Sequence, residues 1–181
     1  MDNGLSDSNC STSFLILFRD HSRGKIFYED GDYHKFLNLL RSMVVQFGSR
    51  LHAYVLLPDH IQLLVSSNTR CELSIALLRV MKNYVSYFNF THRRIFRTLE
   101  LEHKVDNVNK KMSLVPYYRY IESIPVTAGI VNHPADYPWS SYGSNALGEN
   151  IGLISEHESY MSLGSNEDIR WSKYRASFDV M

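Results

Sequence analysis

A β-hairpin is predicted by the stretch Leu51-His-Ala-Tyr-Val-Leu-Leu-Pro-Asp-His-Ile-Gln-Leu-Leu-Val65. Alternate residues of a strand point to opposite faces, so His60 and Gln62 share one face while the apolar residues around them share the other. Pro58 has no amide hydrogen for a β-ladder and fixes its own φ, which favours a tight turn at that position. The stretch therefore predicts two strands that bury an apolar face and present His60 and Gln62 on the opposite face.

Further elements are predicted on both sides of this hairpin. Apolar periodicity and turn signals predict a strand at 13–18, a helix from 33 to about 47 capped by Asp32, a helix from 71 to about 90, and a helix from 113 to about 123 that Pro125 interrupts or kinks. Alternating residues indicate a strand within 95–108. The order β-α-β-β-α-β predicts an α+β fold, a ferredoxin-like split βαβ with an antiparallel sheet, helices on one side and a C-terminal helical extension.

The composition favours one folded domain. Of the 181 residues, 44% are hydrophobic and 13% are aromatic, which argues against disorder. We expect a flexible tail at 1–11 and a single domain at 12–181. The amino terminus lacks a basic segment followed by an apolar run, no apolar stretch approaches a membrane span, and Cys10 and Cys71 lack metal-type spacing. A cytoplasmic protein without membrane contact is expected.

The net charge is zero, but the charges are unevenly distributed. The segment 79–111 has eight Lys or Arg residues against three acidic ones, whereas the segment from 136 to the end has three against seven. This asymmetry is compatible with a basic surface that faces phosphate groups, although a solvated helix face gives the same pattern. The candidate DNA-binding residues are Arg79, Lys82, Arg93, Arg94 and Arg97.

The polar face of the hairpin offers an incomplete metal site. Two neutral histidines separated by one strand residue can bind a divalent cation together with a third ligand, leaving positions open for phosphate oxygens. Here His60 is the single imidazole of the pair, because Gln62 offers a neutral amide oxygen. Ordinary polar surface positions are the alternative for both residues.

Two separated blocks carry a family resemblance. The first is the hairpin stretch 51–65, and the second is Arg119-Tyr-Ile-Glu-Ser-Ile-Pro-Val-Thr-Ala-Gly-Ile-Val131 followed by His133-Pro-Ala-Asp-Tyr-Pro-Trp-Ser-Ser-Tyr142. They resemble the HUH strand, the tyrosine helix and the Asp-Tyr-x-Trp-Ser-Ser segment of the REP-associated tyrosine transposases, which are related to single-strand insertion-sequence transposases. The order and spacing of the blocks match, and the resemblance extends over residues 12–178.

The resemblance implies a chemistry and its residues. In the family, a tyrosine attacks a phosphodiester of single-stranded DNA, forms a 5′-phosphotyrosine and releases a 3′-hydroxyl, with Mg²⁺ or Mn²⁺ offsetting the transition-state charge. Tyr120 matches the nucleophile, and His60 and Gln62 match two metal ligands. The third ligand, usually Asn, is replaced by Ile124, which cannot coordinate a cation. We therefore expect divalent metal to bind weakly or not at all.

Three functions remain open from the sequence. We expect a transposase-family protein that binds single-stranded or hairpin DNA and has impaired cleavage. An active tyrosine HUH endonuclease is the first alternative, and a protein-interaction module without DNA binding, compatible with the zero net charge, is the second. The chain has twelve tyrosines, so a packing role for Tyr120 is a further alternative. The resemblance implies either a homodimer with shared active sites or a monomer.

Overall fold

The computed structural model describes residues 12–93, 101–108 and 112–178. The strands are β1 (Thr12–Asp20), β2 (Arg50–Leu56), β3 (His60–Ser67) and β4 (Leu101–Asn107). The helices are α1 (Asp30–Phe47), α2 (Arg70–Thr91), α3 (Val115–Thr127), α4 (Tyr142–Leu147), α5 (Glu158–Met161) and α6 (Glu167–Ala176), with a 3-10 turn at Pro134–Asp136. Within these described ranges, no helix is long and apolar enough to cross a membrane.

The four strands form one antiparallel sheet in the order β2-β3-β1-β4. β3 lies between β1 and β2, which α1 connects, so the arrangement is a split βαβ unit. The predicted hairpin is formed by β2 and β3, and the amide of Leu57 donates to the carbonyl of His60 (2.8 Å) to close its turn. The predicted α+β, ferredoxin-like fold is confirmed.

One face of the sheet packs against α1 and α2 around a cluster of aromatic rings. Phe36 of α1 is fully buried between Phe18, Phe27 and Tyr84, with ring centroids 6.2, 5.8 and 5.1 Å away. The hydroxyl of Tyr84 donates to the carbonyl of Ile26 (2.6 Å), which satisfies the one polar group that α2 contributes to this cluster. The rings thus join β1, the loop before α1 and both helices into one core.

The opposite face of the sheet is covered over half of its width. α3 and the C-terminal segment pack on β2 and β3, where Val55, Leu64, Ile121 and Tyr174 belong to a second apolar cluster. β1 and β4 are left without a covering helix on this side, and their residues there are partly or largely exposed: Arg19, Glu102, Lys104 and Asp106. The uncovered half therefore carries charges of both signs, together with the half-buried Leu17 of β1.

The segment after α3 closes the free edge of β2. The amide of Leu56 donates to the carbonyl of Trp139 (2.9 Å), and Tyr54 and Ser141 exchange two further hydrogen bonds of 2.9 Å. The Trp139 ring stacks on Tyr33, with centroids 4.5 Å apart. The segment is thus anchored to the core through Trp139, and it supplies hydrogen-bond partners to backbone groups at the β2 edge.

Two helix ends differ from the prediction. Glu29 is the N-cap of α1, and Asp32 is the third residue of the helix, whose carboxylate accepts from the Glu29 amide in a capping box. α3 continues through Pro125 to Thr127, so the expected interruption is wrong. Pro125 lies in the last turn of α3. Because it has no amide hydrogen, the Ile121 carbonyl lacks its helical hydrogen bond, but only two further helical residues follow.

We expect Phe36→Ala to lower the free energy of unfolding by about 3–5 kcal/mol, because it leaves a cavity among three packed rings. Val45→Ala on the same helix is the control, since the Val45 side chain is 78% exposed. The control should change stability by less than about 0.5 kcal/mol. Urea unfolding measures both, and equal losses for the two variants would contradict this description of the core.

Candidate nucleic-acid site

His60 and Gln62 are alternate residues of β3 and point to the same face of the sheet, which α3 partly covers. Arg19 of β1 opposes His60, and Glu102 of β4 opposes Arg19. Gln62 is opposed by Val55 of β2, which belongs to the apolar cluster under α3. Directly opposed residues of antiparallel strands point to the same face. The register therefore brings a cation, Arg19, beside the two residues that the sequence singles out.

A shallow depression of about 320 Å³ opens beside these residues. Oδ1 of Asp59 lies 2.9 Å from Nδ1 of His60, whose side chain is 27% exposed. A carboxylate at Nδ1 favours the tautomer with its hydrogen there and leaves Nε2 available to a ligand. The depression is lined by Leu17, Arg19, Arg23, Asp59, His60 and Gln62.

Tyr120 lies on the exposed side of α3. Its side chain is 53% exposed, whereas Tyr118 and Ile121 of the same helix are fully buried. Ile124, one turn later, is 9% exposed and packs in the apolar cluster. The residues that line the depression do not include Tyr120. A common pocket for Tyr120 and His60 thus stays a prediction.

The orientation of α3 is held by the buried carboxylate of Glu122. Its Oε1 accepts hydrogen bonds from Ser141 Oγ (2.5 Å) and Asn145 Nδ2 (2.7 Å), and its Oε2 accepts one from the Tyr174 hydroxyl (2.7 Å). Burial raises the pKa of Glu122 to about 7, although the three hydrogen bonds oppose this shift. One side chain thereby ties α3 to the segment that edges β2 and to α6.

His52 has a structural role rather than a place in the site. It is fully buried, with Nδ1 2.6 Å from the Ser155 carbonyl and Nε2 2.8 Å from Ser66 Oγ. Because a carbonyl can only accept, Nδ1 carries the hydrogen and Nε2 accepts from Ser66. Burial lowers the pKa of His52 to about 4, so the ring is neutral near pH 7. Ser66 is at the end of β3 opposite to His60.

The cations that the sequence proposes for DNA binding lie in the other layer of the molecule. Arg79 and Lys82 are exposed on α2, which packs on the face of the sheet opposite to the depression. Arg93 is exposed just after α2 and has a positive φ of 46°. Arg94 and Arg97 lie outside the described residues.

Arg19 and Arg23 both line the depression, although no sequence motif singles them out. Alternation along β1 could have placed Arg19 on the face of Leu17. Its position beside His60 depends on the register of β1 against β3, and no local pattern specifies that register. Arg23 follows the strand in a turn, so strand periodicity gives no signal for it.

The donor set around His60 does not fit a divalent cation. His60 offers one imidazole nitrogen and Gln62 one amide oxygen, while Ile124 offers no donor. Arg19 and Arg23 both line the depression and disfavour a dication there, while Glu102 is paired with Arg19 and Asp59 with His60. The residues present therefore do not form the metal site that the family resemblance implies.

A different cluster of ligand-type residues joins α1 to α2. Within the described parts of the chain, Glu29, Asp32 and His92 form the one group of three His, Cys, Asp or Glu residues whose ligand atoms all lie within 4.8 Å of one another. Nε2 of His92 lies 2.9 Å from Oδ1 of Asp32, and Oδ2 of Asp32 accepts from the Tyr28 amide (2.8 Å). These hydrogen bonds account for the buried carboxylate as a link between two helix ends.

Comparison with solved structures identifies the fold. A structure described as a REP-associated tyrosine transposase bound to a REP hairpin matches with a TM-score of 0.59 and 15% sequence identity, over 82% of this chain and 90% of that chain. The two proteins share a fold. No family model and no curated protein matches the sequence. At 15% identity the similarity concerns the arrangement of the sheet and its helices, and it assigns no role to any individual residue.

We expect Glu122→Gln to be more stable than the wild type at pH 8 and nearly equal to it at pH 4.5. The folded state keeps the Glu122 proton up to about pH 7, whereas the pKa of an exposed glutamate carboxyl is ordinarily 4.5. The stability contribution of Glu122 is thus fully present below pH 4.5 and is lost as the pH rises through 7. The neutral amide should gain roughly 3 kcal/mol on the wild type across that range. Urea unfolding at several pH values measures the difference.

Glu122→Ala is the companion variant for this experiment. It leaves Ser141, Asn145 and Tyr174 buried without their shared acceptor, so we expect a loss of about 2–4 kcal/mol at every pH. Parallel stability curves for the wild type and Glu122→Gln from pH 4.5 to 8 would show that the Glu122 carboxyl does not have a raised pKa in the fold.

Proposed function

We propose that the protein is a transposase-like protein that binds single-stranded or hairpin DNA and has impaired DNA cleavage. The shared fold with a tyrosine transposase bound to a DNA hairpin supports this proposal. So do the two sequence blocks of the family resemblance, because they form β2, β3 and α3, which pack against one another. Tyr120 on α3 is the proposed ancestral nucleophile.

The observation that carries the impaired cleavage is the packing of Ile124. Its side chain fills the apolar cluster at the position where the resembled family has a metal ligand. A phenol with an ordinary pKa near 10 is a weak nucleophile at neutral pH, and a cation that polarises the phosphate is what compensates for this. Without fitting ligands for that cation, DNA can bind while the covalent step is slow.

We further propose that the exposed cations from the middle of α2 onward, and not Arg70 at its start, contact the phosphate backbone of the DNA away from the reacting position. These residues are Arg79, Lys82 and Arg93, continued along the chain by Arg94 and Arg97. Contacts of this kind release counterions and make the affinity fall as salt rises.

An active tyrosine endonuclease is the second candidate, and the exposure of Tyr120 favours it. A side chain that is 53% exposed leaves its hydroxyl accessible to a bound strand without any rearrangement of α3. The active enzyme would need a cation held by ligands supplied with the DNA.

We expect the wild-type protein to bind labelled hairpin and single-stranded oligonucleotides at low salt and to form no covalent adduct with them in the presence of Mn²⁺. Fluorescence anisotropy measures the binding, and a denaturing gel detects the adduct. Tyr120→Phe is the control, since it keeps the ring and removes the attacking oxygen. An adduct that is lost in Tyr120→Phe would establish the active enzyme, and failure of both oligonucleotides to bind would favour a protein-interaction module.

We expect the double change Gln62→His and Ile124→Asn to tighten Mn²⁺ binding at least tenfold, because it supplies a second imidazole and an amide oxygen from α3. Isothermal titration calorimetry measures the affinity. Gln62→Asn with Ile124→Leu is the matched control, since it changes the same positions without adding an imidazole or a donor from α3. A tight Mn²⁺ site in the wild type would contradict the proposed loss of the metal.

A further inference from the structure

The depression beside His60 has the composition of an anion site. Two guanidinium groups, Arg19 and Arg23, line it together with the imidazole of His60 and the carboxamide of Gln62. The one carboxylate among its lining residues, Asp59, is directed to Nδ1 of His60. Groups that donate hydrogen bonds therefore predominate at its surface.

Arg19 is held by one ion pair that uses only one of its guanidinium nitrogens. Its Nε lies 3.0 Å from Oε1 of Glu102, its neighbour on β4. Within the described part of the chain, this ion pair is the contact of the guanidinium, so its two terminal amino groups remain available. A planar guanidinium with two free amino groups can bind two oxygens of one phosphate.

Arg23 is brought to the same depression by a strained turn. It has a positive φ of 56°, which L residues other than glycine seldom adopt. The buried carboxylate of Asp20 holds this turn, because it accepts from the Gly24 amide (3.1 Å) and from the Ser22 hydroxyl, while the Asp20 carbonyl accepts from the Arg23 amide (2.8 Å). Such strain is typically retained where a side chain has a function.

The positive charges of Arg19 and Arg23 can supply the attraction for phosphate that a metal ion supplies in the resembled family. In the resembled family, a dication at this strand neutralises a phosphate, whereas here a dication would meet Arg19 across one strand spacing. Arg23 and the terminal amino groups of Arg19, whose Nε pairs with Glu102, can hold a phosphodiester at that position without any metal. The Gln62 side-chain amide lies beside them and can donate a hydrogen bond to a phosphate oxygen.

We propose that the depression is a metal-independent phosphate site, in which Arg19 and Arg23 hold one phosphodiester group of single-stranded DNA beside His60 and Gln62. The inference rests on the proposed DNA-binding function and adds the position of one phosphate contact. It assigns that contact to the sheet face rather than to α2.

The test measures the binding of a labelled single-stranded oligonucleotide by fluorescence anisotropy in EDTA and in Mg²⁺. We expect the wild-type affinity to agree within about twofold between the two buffers. Arg19→Gln with Arg23→Gln should weaken binding at least tenfold and reduce the slope of log affinity against log salt by roughly 0.7, the value for one phosphate of a single strand. Arg70→Gln with Lys173→Gln removes two exposed charges outside the depression and should leave both quantities unchanged.

Arg23→Gly separates binding from folding. Glycine adopts a positive φ without strain, so this variant should melt at the same or a higher temperature than the wild type and still bind the oligonucleotide more weakly. A variant that melts at a lower temperature and binds normally would show that Arg23 serves the turn and not a ligand.

Inorganic phosphate is the second probe, observed through the arginine Nε–H and glutamine side-chain signals in ¹⁵N-correlated spectra. Saturable shifts of Arg19, Arg23 and Gln62 would support the site even if the oligonucleotide does not bind, in which case the DNA-binding proposal alone fails. Oligonucleotide binding that is unchanged in Arg19→Gln with Arg23→Gln overturns the site and leaves the proposed function intact. A tenfold loss of wild-type affinity in EDTA overturns its independence of metal, and the absence of any phosphate shift together with the absence of oligonucleotide binding overturns both proposals.

Discussion

The candidate site depends on the hydrogen bonds that the buried carboxylate of Glu122 accepts. Three donors from different parts of the chain converge on it, and Ser141, one of them, also pairs with the edge of β2. A helix that packs on a sheet through apolar contacts alone can rotate or slide at small cost, whereas directional hydrogen bonds to a buried group define one orientation. The direction in which α3 presents Tyr120 is therefore set by a polar network on the side of the helix that faces the core. The raised pKa of Glu122 is the consequence of placing an acid there.

The second constraint is the unequal covering of the sheet. α1 and α2 pack on one face along β1, β2 and β3, but α3 and the C-terminal segment cover only the half of the other face formed by β2 and β3. The depression opens where this cover ends, so its residues have apolar neighbours on one side and solvent on the other. Electrostatic interactions are stronger at such a boundary than on an open surface, because part of the screening water is excluded. Arg19 and His60 lie at that boundary, whereas Arg79 and Lys82 are exposed on the opposite layer.

The fold is shared with a tyrosine transposase, but a fold can be retained while its chemistry changes. The packing of this domain requires the apolar alternation of β3 and the buried side of α3, and both are present. It does not require a histidine at position 62 or a metal ligand at position 124, since an amide and an isoleucine satisfy the same packing. Ile124 even adds to the apolar cluster. Different side chains at these two positions are thus structurally tolerated here, and we propose that Arg19 and Arg23 give this part of the sheet an affinity for phosphate.

The sequence by itself determined the strands, the helices and the common face of His60 and Gln62, because alternation and helical periodicity are local properties of the chain. The end of α3 and the true cap of α1 were missed by a few residues, because both depend on which neighbours satisfy the terminal backbone groups. Only the tertiary structure decided that Arg19 lies beside His60, that α2 carries its cations on the opposite layer, and that three distant donors meet at Glu122. Each of these depends on strand register or on contacts between residues far apart in the chain, which no local pattern encodes.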